Sequence, residues 1–251
     1  MSNERVAQAL SLWAQRKDHQ VFAEVMRRAV VGELLLDSTG TSIADPAVGL
    51  QKGDTLTIGS HLDNTGRRLL VVFTDNHELT RYLEHPGASL VQPAAAVLQM
   101  AMDDYEGIVI DGRSDGAFIA YADEIRQQFD GDPSTAGRLA SMTVEQSVPF
   151  DAFLAQLAAT RVHLPFQVQR DEHGRETVVP LFTTGPDGAS YAVIGTAPAE
   201  VWAWNSACGS QPVTLAEVAR IALDAGQQGV VVNPAGPATV IGADRLRTIP
   251  G

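Results

Sequence analysis

The sequence predicts an α/β (mixed α+β) protein made by tandem duplication of a small domain, each copy a mixed sheet flanked by helices. Three observations carry this. First, Gly107-Ile108-Val109-Ile110-Asp111-Gly112 and Gly229-Val230-Val231-Val232-Asn233-Pro234 share one form, an apolar run opened by Gly and closed by a turn dipeptide. Such a run reads as a strand buried on both faces. Second, the runs lie 122 positions apart, and at that offset identical residues recur without a gap back to Val71/Val193: Thr74/Thr196, Glu78/Glu200, Gly87/Gly209, Val91/Val213, Ala94/Ala216 and Val109/Val231. A fixed-period echo is the signature of a repeat. Third, further upstream Phe22, Val25, Met26 and Ala29 match Phe150, Phe153, Leu154 and Leu157 at an offset of 128. The six-residue difference belongs to a loop, where length costs little.

Taken in order, Val6, Ala9, Leu10, Trp13 and Ala14 follow the i, i+3, i+4, i+7 spacing of a helix, with no counterpart evident before the second copy. A second helix is predicted over about 20–31 and a strand at Leu34-Leu35-Leu36, stopped by Asp37-Ser38-Thr39-Gly40. A polar loop should run to Lys52. Thr55-Leu56-Thr57-Ile58 alternates like a half-buried strand, and Asp63-Asn64-Thr65-Gly66 signals a hairpin into a strand ending at Phe73. Asp75 with Glu78 reads as a capping box, and Pro198 sits where a first helical position tolerates its missing N–H. Each copy then predicts a second helix, from Pro93 to Asp104 and from Leu215 to Ala225, the latter behind a Thr214/Glu217 capping box. The buried strands follow, then shorter strands at Phe118–Tyr121 and Thr239–Ile241 and terminal segments beginning at Asp123 and Asp244. Domains are therefore expected at 1–129 and 149–251, with 130–148, which is rich in Gly, Pro, Ser and Thr at its start, as the linker.

Net charge is −12, divided as −7 over residues 1–129 and −5 over 130–251. Neither half clusters the cations that a phosphate backbone or an anionic membrane surface requires, so nucleic acid and membrane are not expected partners. A basic protein partner suits this surface better. The single Cys208 makes no internal disulfide, no run approaches the ~20 apolar residues of a membrane span, and the amino terminus lacks the apolar core of a signal peptide, which together point to the cytoplasm. The sequence does not indicate an oligomeric state.

Catalytic signatures are sparse. The six histidines form no HExxH pair, and no phosphate-binding loop, dinucleotide fingerprint or serine-hydrolase elbow is present. No cofactor is expected. Asp111 to Gly116 imitates the start of a calcium loop, but Arg113 occupies a ligand position and Ala122 replaces the closing Glu, which leaves a hairpin turn. Cys208 has no Arg or Lys in the Gly209–Thr214 segment that follows, as an activated thiolate would want. Asn233-Pro234 lies at a strand's carboxyl end, where ligands often sit in α/β sheets, though a plain β-turn is the simpler and favoured explanation. Trp204 faces the core in the place of Tyr82. Trp202, about 200° round the helix, replaces Thr80 and so puts a large aromatic on a polar face, as interface anchors do. Trp202, Asn233, Pro234 and Trp13 are thus the candidate interaction residues.

The order of an apolar strand into Phe73-Thr74 or Gly195-Thr196, a capped helix with Glu78 or Glu200 and an aromatic at Tyr82 or Trp204, a second helix, then Gly229 to Pro234, resembles the amino-terminal domain of bacterial SseB-like proteins. The second copy is the closer match; the first has Asp111-Gly112 at the closing turn. The resemblance covers nearly everything after the first helix and brings no catalytic residues with it. The function expected is a non-enzymatic protein-binding module, with two alternatives: an acidic immunity-type or regulatory inhibitor of a basic partner, and a Cys208-dependent sulfurtransferase.

Overall fold

The computed structural model describes residues 2–42, 55–145, 148–185 and 188–249. Positions 43–52 of the expected polar loop lie outside them.

Two helices open the chain, α1 (Glu4–Gln15) and α2 (His19–Ala29), capped by Asn3 and Asp18, whose side chains accept from the amides of Val6 and Val21. Both pack into the first core: Val6, Ala9, Leu10, Val25, Met26 and Ala29 are buried together. Next come β1 (Glu33–Asp37), β2 (Ser60–Leu62), β3 (Arg68–Phe73), α3 (Asn76–Leu83), β4 (Ser89–Pro93), α4 (Ala94–Asp103), β5 (Gly107–Ile110), β6 (Phe118–Tyr121) and α5 (Ala122–Phe129). The sheet order is β4-β1-β3-β5-β6, with β2 against β3 and only β3/β5 parallel. All four residues of β5 are buried, as the apolar run requires.

Residues 133–145, within the expected linker, form α6 (Pro133–Glu145). Its Ala136 and Ala140 enter the first core, while Leu139 enters the second. The second copy comprises α7 (Phe150–Ala158), β7 (Val162–Arg170), β8 (Glu176–Pro180), β9 (Phe182–Thr184), β10 (Ser190–Ile194), α8 (Pro198–Trp204), β11 (Gly209–Val213), α9 (Leu215–Asp224), β12 (Gly229–Val232), β13 (Thr239–Gly242) and α10 (Ala243–Leu246). Here the sheet divides into β13-β12-β10-β9 and β11-β7-β8, joined through the bridge His163↔Gly195. That bridge stands where Leu35↔Phe73 pairs β1 with β3, so both copies keep one strand order. Among the described residues no helix is long and apolar enough to cross a membrane.

Some expectations are corrected. Thr55–Ile58 is not a strand: Thr55 only bridges Ser42, Leu56 is 45% exposed, and of the alternating pair only Ile58 packs against the first core. The strand forms nearer the Asp63–Gly66 turn, where Leu62↔Arg68 and Ser60↔Leu70 set the register of β2. Between the helices of each copy lie β4 and β11, which no sequence pattern marks. Both are edge strands of mixed polarity and lack an apolar run.

The gapless 122 offset also fails locally. Leu35 pairs with Val91 and its counterpart His163 with Pro212, and the helix caps Pro93 and Thr214 lie 121 apart. One residue is missing around the end of α8 and is restored after α9, where loops absorb it. Gly87/Gly209, Val91/Val213 and Ala94/Ala216 are therefore chance identities, and Ala216 corresponds to Ala95. Of the Asp75/Glu78 box only half forms: Asp75 accepts from the Glu78 amide at 2.9 Å, but the Glu78 carboxylate turns to Arg81 at 3.2 Å.

Candidate functional site at the seam between the copies

The carboxyl ends of the two parallel strands are where an α/β sheet usually holds a ligand. In the first copy Asp111 ends β5 with φ 49° and is buried, accepting from the Thr74 amide at 2.9 Å and its hydroxyl at 2.6 Å. In the second, Asn233 ends β12 with φ 55°; its side-chain oxygen accepts from the Thr196 amide at 2.8 Å and its nitrogen donates to the Thr196 hydroxyl at 3.0 Å. A left-handed residue that also ties down the neighbouring strand favours Asp or Asn, whose short side chains suit that backbone. Burial raises the Asp111 carboxyl to about 6, against the opposing effect of the Thr74 hydrogen bonds.

Each edge is then covered by helix. Beside Thr74 and Asp111, α1 lines a cleft of ≈ 400 Å³ with Leu10, Ser11 and Ala14. In the second copy the cover is α2, which belongs to the first. Gln20 donates to the Ala203 carbonyl at 3.0 Å, satisfying a late carbonyl of α8 that has no partner within its helix. Arg27, 5% exposed, binds Glu24 through Nε and Nη2 at 2.5 and 2.8 Å and donates from Nη2 to the Ala235 carbonyl at 2.8 Å. Trp202 lies 5.4 Å from the His19 ring and donates to the Cys208 carbonyl at 3.2 Å.

Glu200 is the unusual group of this seam. Its counterpart Glu78 is partly exposed and ion-paired, whereas Glu200 is 5% exposed and its Oε2 is buried without a hydrogen bond. Burial raises its carboxyl to about 7; Arg27 and Arg5 oppose this and Glu24 adds to it. Glu200 is thereby placed to take up a proton near neutral pH.

On the other side of the seam, Asp130, Asp132 and Arg138 face Arg161 and His163 across a cleft of ≈ 360 Å³. His163 is buried, with Nδ1 3.3 Å from the Ser210 hydroxyl, and desolvation lowers it to about 4. It is neutral at pH 7. Cys208 is a buried free thiol that donates to the Asn205 carbonyl at 3.1 Å, and desolvation raises its pKa. This chemistry holds a thiol rather than a thiolate. Among the described residues no group of His, Cys, Asp and Glu is placed to hold a metal.

The structure thus gathers three of the four candidate residues, Trp202, Asn233 and Pro234, at or beside the seam. Trp13 lies apart from them, edge-on to Phe118 at 5.2 Å and to Phe22 at 6.1 Å. Gln20, Arg27, Glu200 and His163 are seam residues that sequence reasoning does not single out. The repeat offers a signal for one of them, since Glu200 recurs from Glu78, but identity alone does not reveal burial.

Against known proteins, the family model described as SseB protein N-terminal domain matches twice, over residues 6–127 and 139–248. No curated protein and no solved structure matched the chain.

Proposed function

The chain belongs to the SseB N-terminal domain family, with two tandem copies of the domain, and from this premise we propose that it is a non-enzymatic protein-binding module. The observation that carries the proposal is an uncovered apolar pair. β7 and β8 set Val168 directly opposite Val178, and these side chains are 51% and 54% exposed. Residues directly opposite on paired strands touch and so form one continuous apolar surface, and apolar side chains grouped on an open face mark interaction sites more than scattered ones do. The residues retained by both copies, by contrast, serve the fold: Thr74 and Thr196, Asp111 and Asn233, Gly107 and Gly229.

A cytoplasmic bacterial setting belongs to the same proposal, supported by the single unpaired Cys208. The second reading is an acidic inhibitor of a basic partner, favoured by the net charge of −12. A sulfurtransferase using Cys208 has less support, because burial works against its thiolate. Co-purification of the native chain beside a Val168→Asp variant tests the proposal. A binding module recovers an assembly that the variant loses, and an inhibitor recovers one stoichiometric basic enzyme. A sulfur-transfer activity abolished by Cys208→Ala would sink the non-enzymatic reading.

A further inference from the structure

The two copies treat one equivalent surface differently. In the first copy α6 lies along α4, with Ala136 and Ala140 in the core beside Val97, Leu98 and Phe129. The approach is close enough that a Cβ on Gly137 would stand 3.1 Å from Ala95 Cβ and 2.7 Å from the Val30 carbonyl. Small residues on α6 therefore let two helix backbones come together. At the 121 offset Ala95 corresponds to Ala216, Leu98 to Ala219 and Met102 to Leu223. In the second copy these residues, with Leu246 and Ile249, line a groove of ≈ 560 Å³ between α9 and α10.

Nothing among the described residues fills it. Met102 is buried, whereas Leu223 and Ile249 are left half-exposed. The rim carries charge of both signs: Arg247 is paired with Asp244 and Glu217 is held by the Thr214 cap, while Arg220 and Asp224 have no ion pair among the described residues.

We propose that the α9/α10 groove docks an amphipathic α-helix of a partner protein, one that presents Ala or Gly to Ala216 and Ala219 and an acidic side chain to Arg220. The occupant is defined by what the duplicate copy already seats there: a helix with small residues spaced as in Ala136, Gly137 and Ala140. Helix-in-groove docking is read as anchors recurring on one helix face. α6 itself is committed to the seam, with Ala136 and Ala140 in the first core and Leu139 in the second, so the helix comes from another protein. The inference rests on the protein-binding reading and names the class of partner for a surface distinct from the β7/β8 hairpin.

The probe is a helix-stabilised, fluorescein-labelled peptide of residues 132–145 titrated into the full chain by anisotropy. Saturable micromolar binding is expected, weakened at least tenfold by Ala216→Arg, with melting temperature and circular dichroism unchanged because the position is partly solvent-accessible. Absence of binding, or binding indifferent to Ala216→Arg, overturns the proposal. Sedimentation of the native chain supplies the other arm: a concentration-dependent dimer dissolved by Ala216→Arg makes a second copy the occupant and equally overturns it. If peptide binding fails while Val168-dependent capture persists, the groove is wrong and the broader protein-binding reading stands.

Discussion

Asp111 accepts two hydrogen bonds from Thr74, and 122 positions later Asn233 holds Thr196 with the hydroxyl bond reversed. A carboxylate can accept from both the amide and the hydroxyl. A carboxamide accepts from one and donates to the other. The drift from Asp-Gly to Asn-Pro, which in sequence looks like decay of a turn, therefore preserves a single structural role, that of tying one parallel strand to the other at a left-handed position.

That equivalence predicts the effect of Asp111→Asn. The Asp111 carboxyl rises from 3.8 to about 6 in the folded chain, so the folded state holds its proton more tightly than the unfolded state. The resulting penalty is absent below pH 3.8, grows as pH rises to 6, and is constant above. Asn removes it and can reproduce the Asn233 pattern. A gain of about 1–2 kcal/mol at pH 7 is expected, vanishing near pH 4, read from urea midpoints at both pH values. A loss of stability at pH 7 would contradict the equivalence.

Glu200 follows the same sign in a different window. Its carboxyl rises from 4.5 to about 7, so the cost develops between those values and persists above them. Arg27 remains neutralised by Glu24 when Glu200 is gone. Glu200→Gln should therefore stabilise the chain by about 1–3 kcal/mol at pH 8 and leave it unchanged at pH 4. Equal midpoints for variant and native chain at pH 8 would show that the carboxylate is not penalised.

His163 runs the other way. Its folded value of about 4 lies below the ordinary 6.5, so its contribution is complete above pH 6.5 and is lost as pH falls toward 4. At pH 5 the loss is about 2 kcal/mol. His163→Leu, which installs the residue of the first copy's Leu35 position, should flatten the stability profile between pH 6.5 and 4.5, checked by thermal melts across that range.

Gly229 is required for space as well as conformation. At φ +158° a Cβ would stand 2.2 Å from the Ile241 carbonyl oxygen, and Gly107 meets the Ala120 carbonyl oxygen at 2.4 Å. Both obstacles are backbone of the paired strand and have little room to yield. Gly229→Ala should cost about 3 kcal/mol or more through overpacking and strain, and Gly226→Ala, where a Cβ meets nothing within 4 Å, distinctly less. Denaturation midpoints compare the two.

Trp202 tests whether the seam couples the copies. Removing its ring abolishes the His19 contact and the hydrogen bond to Cys208. Trp202→Ala should lower stability by about 2–3 kcal/mol and split a single calorimetric transition into two, the second copy melting first. One unshifted transition would mean that the seam is carried without Trp202, by Gln20, Arg27 and the burial of Ala197 and Ala199 in the first core.

Local patterns made much of the fold legible. The buried strands announced themselves as β-branched runs behind a glycine, α9 by its Thr214/Glu217 box, and the duplication by Thr74/Thr196 and Glu78/Glu200 at one spacing. Each is decided within a few residues, by side-chain periodicity or by a cap satisfying a free amide. The strands β4 and β11 left no such mark, since an edge strand gains its partner across the sheet and needs no apolar run.

What the sequence by itself determined, then, is the repeated unit and the family to which it belongs. Tertiary structure alone decided that α6 covers the first copy's α4 while no helix among the described residues covers the outer face of α9, that Trp202 turns toward His19, and that Glu200 is buried while Glu78 is not. The physical reason is that identical local sequence fixes identical local geometry, whereas burial and pKa depend on which distant element packs on top. Here that element is α2, more than 170 positions away from Glu200 in the chain.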